Sequence, residues 1–74
     1  MDHNYEFKIG QKIRKMRIKK GFTQERLSIK MQVMGCDVTQ PAIAKIEAGR
    51  RHLYPDEIKL IKEILGTTYD EIFE

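Results

Sequence analysis

The chain has 74 residues, 34% charged and 41% apolar or aromatic, with a net charge of +3. That length supports one small core and a single domain over 1–74. Nothing approaches a membrane-spanning run or an apolar leader, so the cytoplasm is the expected location, with no membrane partner. Cys36 is the only cysteine, which excludes an intrachain disulfide and a paired-cysteine zinc site; it reads as a small turn residue.

In chain order, Asp2 or Asn4 is placed to cap a first helix that runs to about Lys20. Ile9, Ile13 and Met16 make its apolar stripe, while Lys8, Lys12, Lys15 and Lys19 occupy other faces. Gly21 stops it, and Phe22 is placed to fold back on the last turn. Thr23 caps a second helix, with Glu25 at the positive end of its dipole. Leu27, Met31 and Met34 form the expected inward stripe, with small Ser28 beside it. Ile29 and Val33 fall on the opposite side, either as a partner surface or as two scattered exposed residues.

Gly35 to Val38 reads as a turn, with Val38 plugging the core. Thr39 then caps a short helix that ends at Gly49, and Pro41 is tolerated in its first turn. Ile43, Ile46 and Glu47 share one face; Gln40, Pro41, Ala44 and Lys45 lie on others. A helix this short must dock its apolar face to persist. The face left outside is polar and nearly uncharged, and it leads into Arg50 and Arg51. Amide and small groups toward bases with cations toward phosphates suit a DNA groove. His52 reads as a solvated loop residue, with phosphate contact as the alternative.

Pro55 opens a fourth helix, with Asp56 and Glu57 in its first turn. Ile58, Ile61 and Leu65 are its core stripe, Leu60 and Ile64 a flanking pair, and Gly66 its end. Thr68 and Glu71 form a capping-box pattern for a last helical turn that carries Ile72 and Phe73. The prediction is a compact all-α domain of five helices.

Charge is unevenly spread. Residues 1–20 hold seven Lys or Arg against two acids, residues 21–51 five against three, and residues 52–74 two against six. A basic front and an acidic back suit one face toward a polyanion. No nucleophile triad, metal cluster or phosphate loop is visible, so neither an enzyme nor a cofactor is expected.

Two helices around a turn, the second followed by a basic loop, follow the helix-turn-helix plan. Ile13-Arg14, Arg17, Gly21-Phe22-Thr23-Gln24-Glu25, Leu27-Ser28 and Ile43-Ala44-Lys45-Ile46-Glu47-Ala48-Gly49-Arg50-Arg51 together resemble the phage-repressor and Cro family, the XRE-type helix-turn-helix proteins. The resemblance spans roughly residues 7–73 and implies a lambda-repressor-like fold. It implies a sequence-specific regulator of double-stranded DNA, acting as a homodimer on a near-palindrome.

Residue by residue, the resemblance gives Gln24 a phosphate contact and a bracing role, and Gln40 an adenine to read. Thr39, Pro41, Ala44 and Lys45 fall in the groove-facing set. Arg17 pairs with Glu47, a structural support, and also touches the DNA backbone; Arg50 and Arg51 are phosphate clamps. The segment between Leu27 and Ile43 is longer than the family pattern, which requires a longer second helix or a wider turn. Lys62 replaces a small apolar residue, which would loosen or solvate that side of the fourth helix. The alternative keeps the fold as a protein-interaction module, antitoxin-like or anti-repressor. Leu60 with Ile64, the Tyr69-Ile72-Phe73 end and Ile29 with Val33 are candidate surfaces for a second copy or a protein partner.

Overall fold

Each of the first four helices is stopped by a glycine, and these stops set the path of the chain. The computed structural model describes residues 3–74. Its elements are α1 (His3–Lys19), α2 (Gln24–Val33), α3 (Gln40–Glu47), α4 (Pro55–Leu65) and α5 (Tyr69–Phe73), with no strand among the described residues. After α1, the Phe22 amide donates to the Arg17 carbonyl at 3.0 Å and the Gly21 amide to that of Ile18 at 2.9 Å. This pair of hydrogen bonds needs a left-handed residue, and Gly21 has φ +83°. The same pattern recurs at Gly35, Gly49 and Gly66.

The starts are equally explicit. Thr23, Thr39 and Thr68 accept from the amides of Arg26, Ala42 and Glu71 at 3.0, 3.4 and 3.2 Å. Asn4 does not cap α1, because the helix already includes His3 and a cap must precede the first helical residue. Asp2, the other candidate, lies outside the described residues.

The core gathers Ile13, Leu27, Met31, Val38, Ile43, Ile46, Ile61 and Leu65, all buried, and Ile72 is fully buried as well. Burying each such side chain stabilises the fold by about 1.5–3 kcal/mol. Ile9, Met16, Phe22, Leu60 and Ile64 pack half-buried around it, and Ile58 is half-buried too. Met34, expected inside, is 48% exposed. It occupies the C-cap, where the chain has already begun to turn toward Gly35.

Helix α2 runs ten residues to Val33, and residues 34–39 then form a wide turn pinned at several points. The Cys36 amide bonds the Met31 carbonyl at 2.9 Å, Gln32 Nε2 bonds the Val38 carbonyl at 3.1 Å, and Val38 sits in the core. Burial pushes the Cys36 thiol above its ordinary pKa, helped by the nearby Glu57 and Asp56 carboxylates. Lys62 is half-buried, and its Nζ sits 5.1 Å from the Tyr69 ring centroid. Helix α3 packs against both α1 and α2, α5 against α1, and α4 against α2.

Candidate nucleic-acid interface

The seat of α3 is built from backbone. A Cβ on Gly10 would run into the carbonyl oxygens of Ile46 and Glu47, and one on Gly49 would lie 2.7 Å from Phe7 Cα. The two glycines therefore let α1 touch the C-terminal end of α3 directly. Gln11 Nε2 donates to the Glu47 carbonyl at 3.0 Å across the same seam.

Beside this seat lies a buried charge pair. Arg17 Nε donates to Glu47 Oε2 at 2.7 Å and Nη2 to Oε1 at 3.1 Å. Arg17 Nη1 donates to the Phe22 carbonyl at 2.7 Å. The residues are 7% and 2% exposed, so each ion relies on the other and on these hydrogen bonds for its solvation. The pairing is the one the family resemblance implied, but the guanidinium has an acceptor for all three nitrogens inside the molecule.

From Glu47 the network runs outward. Gln24 Nε2 donates to Glu47 Oε1 at 3.0 Å, and Gln40 Nε2 donates to Gln24 Oε1 at 2.8 Å. A carboxylate only accepts, so it fixes which end of the Gln24 amide faces inward. That orientation turns the Gln24 oxygen toward Gln40 and sets the Gln40 amide in turn. One amide hydrogen and the oxygen of Gln40 remain available on the outside. This donor and acceptor pair matches N7 and N6 of adenine in the major groove.

Around this amide, Thr39, Pro41 and Lys45 are exposed and Ala44 is half-buried. Arg50 is exposed at the far end and makes no ion pair among the described residues. Gln24, Gln40, Lys45 and Arg50 thus come from α2, α3 and the loop behind α3.

Arg51 is placed differently from its neighbour. Its Nη1 and Nη2 donate to Glu57 Oε1 and Oε2, each at 2.9 Å, and Nη1 also donates to the His52 carbonyl at 2.8 Å. The guanidinium carbon lies 5.7 Å from the Tyr54 ring centroid. Glu57 Oε1 also accepts from the Tyr54 amide at 3.0 Å. Burial works to raise the Glu57 pKa, but the Arg51 and Tyr54 hydrogen bonds outweigh it and hold the carboxyl below its ordinary value. Arg51 therefore ties the loop behind α3 to the start of α4.

Three pairings have no counterpart in the sequence pattern: Arg51 with Glu57, Gln11 with the Glu47 carbonyl, and Glu6 Oε2 with His52 Nδ1 at 2.8 Å. The last places His52 in a polar pair rather than in solvent alone. No helical periodicity links these partners; each depends on how loops cross helices. Among the candidate apolar surfaces, Ile72 belongs to the interior, while Tyr69, Phe73, Ile29 and Val33 are exposed. No helix among the described residues is long and apolar enough to cross a membrane.

Comparison with known proteins identifies the family. The helix-turn-helix family model HTH_3 matches residues 13–72. The control protein C.BamHI of Bacillus amyloliquefaciens is 31% identical over 75 aligned positions, which cover all of this chain and 86% of that protein. No solved structure matches the chain. The family match covers most of the sequence and includes α2, α3 and the core around them, so the chain belongs to the HTH_3 helix-turn-helix family and is a DNA-binding transcription regulator of the XRE type.

Proposed function

We propose that the protein reads a near-palindromic operator as a homodimer, with α3 lying in the major groove. The observation that carries this reading is the exposed Gln40 amide, oriented from below by Gln24, Glu47 and Arg17. A recognition side chain held in one orientation loses less freedom on binding than a free one. Gln40 reads an adenine, Pro41 and Ala44 offer apolar contact to the groove, and Lys45 reaches a guanine acceptor or a phosphate. Arg50 and the second amide hydrogen of Gln24 hold phosphates. Arg17 and Arg51 support the frame on which these groups stand.

Selection of bound sequences from a random duplex pool tests the reading. The expected product is a pair of inverted half-sites about one helical turn, roughly 34 Å, apart. Recovery of sequences without common bases would refute sequence-specific reading, and a lone half-site bound by one copy would refute the dimer.

A further inference from the structure

We infer that α1 carries a second polyanion-binding face, a lysine row that grips the sugar–phosphate backbone of a DNA segment other than the one read by α3. The inference rests on the DNA-binding reading above. Lys8, Lys12, Lys15 and Lys19 recur at intervals of four, three and four residues, which places their side chains on one side of a helix. Eleven residues at about 1.5 Å each span roughly 16 Å, long enough to lie along several phosphates of one strand.

Three of these lysines are exposed and Lys12 is half-buried. None takes part in an ion pair among the described residues. Yet acids are close. Glu74 borders the groove formed by Lys8, Lys12 and Lys15, and Glu71 borders the one beside Lys19. Like charges spaced three and four residues apart weaken a helix, and no acid on α1 is interleaved with them. Glu71 and Glu74 offset part of this repulsion from outside the helix, and a polyanion lying along the row would offset the rest.

Its position separates it from the reading face. α3 meets α1 through Phe7, Gly10, Gln11 and Arg17. Phe7 and Gln11 also line the groove of Lys8, Lys12 and Lys15, but its other wall is Ile72, Phe73 and Glu74 of the C-terminal segment, and Lys19 borders Leu65, Gly66 and Thr67. On the helix the four lysines lie away from Gly10 and Arg17. Lysine ammoniums are compact, hydrated point charges without the planar fork that reads a base edge. Their match is a backbone of any sequence.

A two-duplex capture experiment tests this. The protein is bound to an immobilised duplex recovered by selection, and a labelled duplex of scrambled sequence is then added. The wild type should retain the second duplex, with retention falling steeply between about 50 and 200 mM salt. A variant with Lys8→Gln, Lys12→Gln, Lys15→Gln and Lys19→Gln should hold the first duplex within about twofold and lose retention of the second by about tenfold or more. The corresponding four Lys→Arg changes should preserve both.

Three results would overturn the inference: no retention by the wild type, equal retention by wild type and glutamine variant, or loss of the first duplex by the glutamine variant while the arginine variant binds normally. The last would put the row on the same duplex as α3. Failure of sequence-specific reading would appear separately, as equal capture of the protein by immobilised selected and scrambled duplexes whatever residues stand on α1.

Discussion

Two arginine–glutamate pairs flank the C-terminal end of α3, and they differ in what they connect. Arg17 and Glu47 join α1 to α3 in the interior, and Glu47 passes its orientation through Gln24 to the exposed Gln40. Arg51 and Glu57 join the loop behind α3 to α4, and among the described residues their hydrogen bonds do not lead to Gln40. Both pairs are doubly hydrogen-bonded. The first is almost fully enclosed, whereas the Arg51 side chain of the second is 28% exposed. The first therefore reaches from the interior to the exposed Gln40, while the second ties one loop to one helix.

The largest expected effect breaks the enclosed pair. Glu47→Ala leaves Arg17 buried without a counter-ion and should lower unfolding free energy by about 3–5 kcal/mol, read by chemical denaturation. Arg17→Met with Glu47→Leu should recover much of that stability, because a packed apolar pair avoids desolvation. The same double variant should not recover operator affinity, since Gln24 then has no carboxylate to orient it. Full recovery of both would erase the difference between the two pairs.

The more open pair should give a smaller loss. Glu57→Gln is expected to lower stability by about 1–3 kcal/mol at neutral pH and to leave DNA affinity unchanged once folding is accounted for. Glu57 has a depressed pKa in the folded protein, so its contribution is present above the unfolded carboxyl value and is lost as pH falls through the folded one. Wild type and Glu57→Gln should therefore converge in stability on acidification. A constant gap down to the acid-unfolding range would remove the charge from the explanation.

The remaining predictions concern the reading face. Gln40→Ala should weaken the best site by about 1–3 kcal/mol and relax one base position, with little change in stability. An equal loss on matched and scrambled DNA would deny it a reading role. Arg50→Ala should weaken all sequences alike and reduce the salt slope by about 0.9 for each phosphate it no longer neutralises. Arg51→Ala should instead register mainly as lower stability. An unchanged salt slope for Arg50→Ala, or a reduced one for Arg51→Ala with stability intact, would reverse the roles given to these neighbours.

The helices themselves were legible because their signals are local. A threonine before a helix and a glycine after it act within a few residues, and Leu27, Ile43 and Ile61 announce an inward face by spacing alone. Met34 shows the limit: helical periodicity pointed it inward, but the turn had already begun at its position. The Arg17–Glu47 pair was accessible only through the family pattern, since 30 residues separate its members. Arg50 and Arg51 read as one basic feature in the sequence, whereas the fold sets Glu57 beside only Arg51. The seat of α3 was hidden for a different reason. Gly10 stands within an ordinary helical sequence, and nothing local indicates that another main chain passes at that point.

That seat has a practical consequence. Because the absence of side chains at Gly10 and Gly49 lets α3 rest main chain against main chain, its placement owes little to the identity of residues 40, 41, 44 and 45. If the proposed reading holds, exchanging the exposed residues 40, 41 and 45 in this 74-residue chain should change which bases are bound while leaving the mount of α3 intact.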